Sequence, residues 1–430
     1  RQVHVRSGQM LQCLQDGFPT AGPCSPRREF NGRILYVIHS YSRFDANGYG
    51  VRTAQTLGAL KQQGLQIFPT ARLGYPWDLP WHAGLPKAAS IPHQGDTYHH
   101  RFDQAGGITR AEIDYVQAYA RYLEEEARSN QCTVIHSNSN FLNGLAANIA
   151  AKASGCRSVY EMRGLWHLTR ASVNPAYAET EHFAYCNAME VQAAADADAV
   201  VAISQPLAAW LLQHGIEPHK IHVIPNAAIP GPGPIPARRQ APMTNIEIVY
   251  AGAITWYEGL ETLLEAVQHL HEKGTTAHLT IAGDGPHAPA IRRYIKRNAL
   301  GQVATMTGRV APAQVNELYA KAAVCVLPRR KLPVTELVAP LKGFEIMSRK
   351  VPLIVSDLPP LREVVANGEY GFIVPADDAS ALADKIEEVI EHPASTRDLV
   401  EKAYAWVTHE RNWAANGALY RQLYQAVHES

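Results

Sequence analysis

At 430 residues the chain is too long for one typical domain and fits two of about 200 residues each. Hydrophobic residues at 46% and charged ones at 19% describe a soluble globular protein with large cores and exclude a disordered chain. Lys plus Arg (40) balances Asp plus Glu (40), which excludes broad attraction to nucleic acid or anionic lipid, so any anion site must be local.

The six cysteines, Cys13, Cys24, Cys132, Cys156, Cys186 and Cys325, show no CxxC pair and no metal-ligand spacing. They are expected to be mostly reduced core thiols of a cytoplasmic protein. No run of about 18 apolar residues is present, so no span of a bilayer is expected. The sequence starts at Arg1 without a signal-peptide pattern, and the reading is of a chain trimmed, or cut from a larger polypeptide or complex.

Residues 1–32 read as an irregular N-terminal extension. From there short β-branched runs alternate with helical patterns, the signature of a parallel sheet wrapped in helices. The first strand, RILYVIHS (33–40), leads into the loop HSYSRFDANGYGVRT (39–53). There Gly48, Tyr49 and Gly50 precede a helix, so backbone N–H groups could face a phosphate or sugar; a capped flexible turn is the alternative. The helix VRTAQTLGALKQQG closes on Gly64, followed by the strand LQIFPT (65–70). In TARLGYPWDLPW (70–81), Trp77 and Trp81 are candidates for lipid or sugar contact, with packing as the plainer reading.

The strand TVIHSN (133–138) brings His136, Asn138 and Asn140 to a strand end, where a pocket floor is expected; a satisfied structural histidine is the alternative. RSVYEM (157–162) delivers Glu161, Arg163 and Trp166 to a pocket edge, or into a plain salt bridge. The strands AVVAIS (199–204) and IHVIPN (221–226) complete the first half. The acceptor-side domain is thus expected over 33–228, and a linker over 229–243, where five of fifteen residues are proline.

The alternation restarts over 244–408. IEIVYAG (246–252) ends at Gly252, where the chain can turn closely, and Thr255 is expected to cap the next helix. IAGDGP (281–286) reads as a turn. QVATMTG (302–308) leads to Arg309 and Val310, further donor-side candidates. AVCVLP (323–328) reads as a buried strand that releases Arg329 and Arg330 at its carboxyl end, where ligands bind in open α/β sheets. Pro340 is expected to begin a helix carrying Lys342 and Glu345 on one face. Cations suit a diphosphate, and a carboxylate suits the vicinal hydroxyls of a ribose, because it accepts hydrogen bonds. An Arg/Lys/Glu salt-bridge cluster is the bland alternative. The strands VPLIVS (351–356) and GFIVPA (371–376) and a terminal helical pattern, HERNWAANGALYRQLYQAV, follow, the last expected over 409–430.

These stretches together resemble family 4 of the retaining glycosyltransferases, from about residue 33 to the C-terminus. The resemblance rests on HSYSRFDANGYGVRT, VIHSNSNFLNGLAA, YEMRGLW, VVAISQPLAAWL, VIPNA, YAGAITWYEG, IAGDGP, PLKGFEIM and SDLPPLREVVANGEYGFIV. It implies the GT-B fold: two facing, doubly wound, Rossmann-like α/β domains with an interdomain cleft, the second holding a nucleotide-diphosphate sugar and the first the acceptor. The terminal helix would cross back to the first domain. Glu345 would bind ribose, and Glu336 would approach the donor sugar, although eight residues separate the two acids, one more than the family's usual motif. His136 and Arg163 are carried over as further catalytic candidates. Where many members place an Arg and a Lys to hold the diphosphate, this chain has Gly252-Ala253 and Glu258-Gly259, so Arg329, Arg330, Lys342 and, from the facing domain, Arg163 are the expected replacements.

The implied activity is transfer of a sugar, with retention, from a UDP-sugar (a GDP-sugar being second choice) to a glycan or lipid-linked acceptor in bacterial capsule or exopolysaccharide assembly. It would take place in the cytoplasm or at the inner face of the membrane, with peripheral membrane contact an option. No metal or other cofactor and no nucleic-acid partner is expected. The rivals are a nucleotide-sugar epimerase of the same architecture and a catalytically silent sugar-nucleotide or glycan-binding module.

Overall fold

The computed structural model describes residues 2–20, 22–45, 47–105, 107–109, 111–229 and 246–429. They form two compact units, one of residues 1–225 with 413–430, the other of residues 226–412. Beyond residue 229, the linker expected over 229–243 lies outside the described residues.

The first unit is built on eight strands: β1 (Arg33–Ile38), β2 (Gln66–Ala71), β3 (Ser90–His93), β4 (Asp96–His99), β5 (Val134–Asn138), β6 (Arg157–Met162), β7 (Ala199–Ala202) and β8 (Ile221–Val223). Their order is β3-β4-β2-β1-β5-β6-β7-β8, parallel throughout except for the β3/β4 hairpin. Because β5 is covered on both faces, all five of its residues are buried, His136 and Asn138 included. The order turns back between β1 and β5, the switch point where loops diverge to opposite faces of the sheet.

Three expectations need correction in this unit. Residues 1–32 are not wholly irregular: Gln2–Asp16 is a helix, and the extended stretch after it is tied down by Ser25 N–H and Arg28 N–H donating to the carbonyls of Lys152 and Gly155. The β3/β4 hairpin was not anticipated; its two-residue turn, Gln94-Gly95, has both φ angles positive, at 50° and 80°. Of IHVIPN, only Ile221–Val223 is strand, since Ile224 N–H makes its last bond to the sheet, at Ala202.

The second unit holds six strands: β9 (Ile246–Ala251), β10 (Ala277–Ala282), β11 (Ala304–Gly308), β12 (Val324–Leu327), β13 (Leu353–Ser356) and β14 (Phe372–Val374). They run parallel in the order β11-β10-β9-β12-β13-β14, so the switch point falls between β9 and β12. One core packs Ile248, Tyr250, Leu263, Val267, Leu279 and Ile386 on one face; another packs Val249, Leu327, Phe344, Leu353 and Leu361 on the other. The helix expected to begin at Pro340 begins at Lys342 and runs only to Met347.

Candidate functional site

In the second unit the β9/β12 switch point gathers the residues singled out above. After β9 the chain turns at Gly252, whose φ is +154° and on which a Cβ would overlap the Lys342 side chain; no other residue type lets that lysine lie across the loop. The loop continues through the one-turn 3-10 helix Trp256–Glu258 to Gly259, at φ +69°, where the chain passes against the Pro328 carbonyl at the end of β12. Arg330 N–H donates to the Tyr257 carbonyl at 3.0 Å, clamping the two loops together.

Inside this clamp, Glu258 accepts from Arg329 Nη2 at 2.9 Å and from Lys342 Nζ at 2.7 Å. Lys342 Nζ also donates to the Tyr250 hydroxyl at 2.7 Å, and Arg329 Nη1 to the Val338 carbonyl at 2.9 Å. Burial alone would push the Glu258 carboxyl up, but Arg329 and then Lys342 draw it down to about 2, so it is ionised. Burial pushes the Lys342 ammonium below its ordinary value against the pull of Glu258. A neighbouring set places Arg330 against Glu261 (3.2 Å) and over the Trp256 ring (3.9 Å), with Glu261 also bonded to His287 at 2.5 Å.

The cations expected at this strand end are therefore brought together, but two of them share an internal acid that the sequence reading did not assign. Glu258 was legible only as a departure from the family's usual lysine; the cations it meets, Arg329 and Lys342, lie 71 and 84 residues further along the chain. Glu345 lies on the short helix behind Lys342, and its carboxylate has no hydrogen-bonding partner among the described residues; burial pushes its carboxyl up. Glu336, half-buried, likewise lacks one. Thr255 does not cap the following turn: its hydroxyl is buried without a partner, because the turn it precedes is a single 3-10 turn. Arg309 is exposed and Val310 half-buried just beyond β11, with no contact to the Glu258 cluster.

In the first unit the strand-end polar residues form a buried network around Glu161, which is fully inaccessible. Its Oε1 accepts from Arg52 Nε (2.7 Å) and Arg163 Nε (2.6 Å), and its Oε2 from the Tyr420 hydroxyl (2.7 Å) and His136 Nε2 (3.0 Å). Burial opposes ionisation here, but Arg163 and then Arg52 hold the Glu161 carboxyl well below the usual range. His136 Nδ1 meets the Tyr424 hydroxyl at 2.6 Å, and Arg163 also donates to Tyr49 O, Thr53 and the Tyr36 hydroxyl. Asn138, with its amide oriented to satisfy both neighbours, accepts from Arg163 and donates to Val37 O.

This corrects the expectation for three residues. His136 has both ring nitrogens engaged and Arg163 spends its donors inside the first unit, so neither is open to a substrate, and Glu161 marks a core network rather than a pocket edge. Gly48 and Tyr49 do open helix Gly48–Gln62, capped by Asn47, whose side chain accepts from Gly50 N–H at 3.0 Å. Tyr49 is tied to Trp166, its hydroxyl accepting from Nε1 at 2.7 Å. Asn140 Oδ1 is buried without a partner. Trp77 is buried, whereas Trp81 is 70% exposed. All six cysteines are free thiols, and Cys24 is exposed. Among the described residues no cluster of three or more His, Cys, Asp or Glu could hold a metal ion, and no helix is long and apolar enough to cross a membrane.

Comparison with known proteins places both halves. Residues 47–227 match the family described as glycosyl transferase 4-like domain, and residues 245–392 the family described as glycosyl transferases group 1. An alpha-D-kanosaminyltransferase of Streptomyces kanamyceticus is 24% identical over 42% of this chain and 45% of its own length. A putative colanic acid biosynthesis glycosyltransferase, WcaL, of Escherichia coli is 29% identical over 34% of this chain and 36% of its own. The chain thus spans half or less of these curated relatives. Among solved structures, a sucrose-phosphate synthase of Thermosynechococcus elongatus superposes with a TM-score of 0.72 at 20% identity, covering 92% of this chain and 99% of that one. Anabaena HepE in complex with UDP-glucose gives 0.65 at 15% identity, covering 92% and 99%. At these identities the likeness is one of fold.

Proposed function

We propose that this chain, which belongs to the group 1 glycosyltransferases and carries a glycosyl transferase 4-like first domain, moves a sugar from a nucleoside-diphosphate sugar to a glycan or lipid-linked acceptor. The second unit holds the donor, with a UDP-sugar favoured, and the first unit the acceptor. The product belongs to a bacterial surface polysaccharide, a reading supported by the colanic acid relative.

One observation carries this reading: at the β9/β12 switch point, half-buried Lys342, paired through Glu258 with buried Arg329, acts with Arg349 on Glu345, a carboxylate with no hydrogen-bonding partner among the described residues. Cations there suit the diphosphate, and Glu345 suits the ribose hydroxyls, which need an acceptor. Breaking the bond from anomeric carbon to phosphate oxygen leaves an oxocarbenium-like sugar and a diphosphate gaining negative charge. Lys342, with Arg329 behind it, stabilises that charge where it develops. The acceptor hydroxyl oxygen bonds to the anomeric carbon on the face the diphosphate leaves, and its proton passes to the departing phosphate oxygen, so configuration is retained. Glu336 is the acid assigned to the donor sugar. Arg163, His136 and Glu161 act at a distance, as positioning residues that fix the strand ends beneath Tyr49.

A charge-assisted hydrogen bond is worth about 1.5 to 3 kcal/mol, so Lys342→Ala is expected to lower turnover of UDP-sugar by about 10- to 100-fold. The assay follows UDP release and the sugar product with and without an acceptor panel. Transfer that requires the acceptor, and falls in the variant, supports the reading. An epimerised sugar nucleotide from donor alone, or turnover within about twofold in Lys342→Ala, contradicts it.

A further inference from the structure

Glu258 stands where three elements converge: the loop after β9, the end of β12 and the start of helix Lys342–Met347. Each contributes one group, Glu258 itself, Arg329 and Lys342. The acid is almost wholly buried, and both carboxylate oxygens are spent on the two cations. The Tyr250 hydroxyl lies 3.1 Å from Oε2, accepts from Lys342 and donates to the Ala253 carbonyl at 2.7 Å, so the ammonium is gripped from two sides. The fit beneath it is equally tight, since a side chain at Gly252 would overlap the Lys342 stem. A lysine free to bind an anion by itself would need none of this. Removing one partner from a buried ion cluster leaves an uncompensated charge, so the three groups depend on one another.

We propose that Glu258 is a positioning residue for the phosphate-binding cations: it keeps the Lys342 ammonium charged and pinned over Gly252 until the donor's diphosphate takes its place as the counter-anion. The inference rests on the donor reading above and adds to it. With Glu258 in place the three groups present one net positive charge, two cations against one anion. The acid thus has two opposing effects on a diphosphate: it repels the ligand, and it preserves the cation that attracts it.

The groups facing Lys342 are Glu258 and Tyr250 from the β9 side, Arg329 from the end of β12 and Glu345 on its own helix. Burial and Arg329 push the ammonium down, and Glu258 and Glu345 pull it back. Glu258→Gln removes the stronger of the two pulls, so Lys342 loses its proton at lower pH than in the parent. A crossing profile follows. At the low-pH end, where Lys342 is charged in both proteins, Glu258→Gln binds UDP at least as tightly as the parent, because a repelling anion is gone. As pH rises, the variant's affinity falls away earlier than the parent's, because its Lys342 loses the proton at lower pH. A role confined to structure would weaken binding by one factor at every pH.

The test is calorimetric titration of the full chain with UDP, and with GDP, from pH 7 to pH 9, parent against Glu258→Gln. Alongside it, the Lys342 side chain is followed by carbon-13 NMR in both proteins. The crossing profile with an earlier Lys342 titration supports the proposal. Parallel affinity profiles, or an unmoved Lys342 titration, overturn it. If the parent binds neither nucleotide, the donor reading fails, and the Lys342 titration still decides whether Glu258 governs its charge. Should Glu258→Gln fail to fold, Glu258→Asp keeps the charge and shortens the reach: weaker UDP binding with the parent's pH profile supports the proposal, and unchanged affinity overturns it.

Discussion

Glu190 shows how far a single buried group can depend on pH in this protein. It is fully buried, and its carboxylate accepts from the Tyr160 hydroxyl and, at 3.1 Å, from Phe141 N–H, with no cation among its partners. Burial therefore wins and pushes the carboxyl from its ordinary value up to about 7. A folded-state value above the unfolded one means that stability is full below the unfolded value, near 4.5, and is lost as pH rises through about 7. Glu190→Gln is expected to remove that loss. It should stabilise the first unit by up to about 3 kcal/mol at pH 8 and leave it unchanged at pH 4. Urea unfolding at both pH values checks this, and an equal effect at both would contradict it. Glu161 is the opposite case, equally buried but held ionised by Arg163 and Arg52. The sequence marks both as acids in apolar surroundings; what separates them is a pair of arginines, Arg163 two residues on and Arg52 brought from 109 residues away by the fold. For the same reason His136 and Glu161 looked like pocket residues at a strand end, while their partners Tyr424 and Tyr420 lie 288 and 259 residues further along the chain.

At the scale of elements, the parallel strands were legible because a strand covered on both faces is a short continuous apolar run, and IVYA- and VCVL-like runs recur at helix-spaced intervals. The β3/β4 hairpin was not, since SIPH and DTYH are polar edge strands whose main mark is the Gln94-Gly95 turn. Nor was the helix Gln2–Asp16, whose sequence lacks a strong apolar stripe and which packs on the helix Glu181–Asp196, the chain just beyond it being held by the bonds between Phe18 and Gln192. The loops of the second unit were better read, because glycine before a helix has a specific mechanical meaning. At Gly252 that meaning is close approach: Gly252→Ala is expected to push Lys342 off the loop and weaken UDP binding by about tenfold while the chain stays folded. Circular dichroism with nucleotide titration checks it, and unchanged affinity would contradict the placement of Lys342.

The whole chain repeats one plan twice, a parallel sheet with its switch point beside the first strand of each unit. That repetition was visible as two series of strand and helix patterns. The proposed division of labour was not visible in the pattern, and its support is which switch point leaves charged groups within reach of solvent. In the first unit Arg52 and Arg163 stand two against one acid, as Arg329 and Lys342 do in the second, but they and Glu161 are buried in a core network that includes the terminal helix Trp413–Glu429 through Tyr420 and Tyr424. In the second, Lys342 and Glu345 are only half-buried beside Glu258 and Arg329. Donor binding by the second unit, through the cations and Glu345, is therefore the central claim. Calorimetric titration of the intact chain and of Glu345→Ala with UDP, GDP, ADP and CMP tests it most directly. The account predicts that one nucleoside diphosphate binds, UDP first, and that Glu345→Ala weakens it by about tenfold or more as the ribose hydroxyls lose a charged acceptor. Binding of none of the four, or equal affinity in the variant, would contradict it.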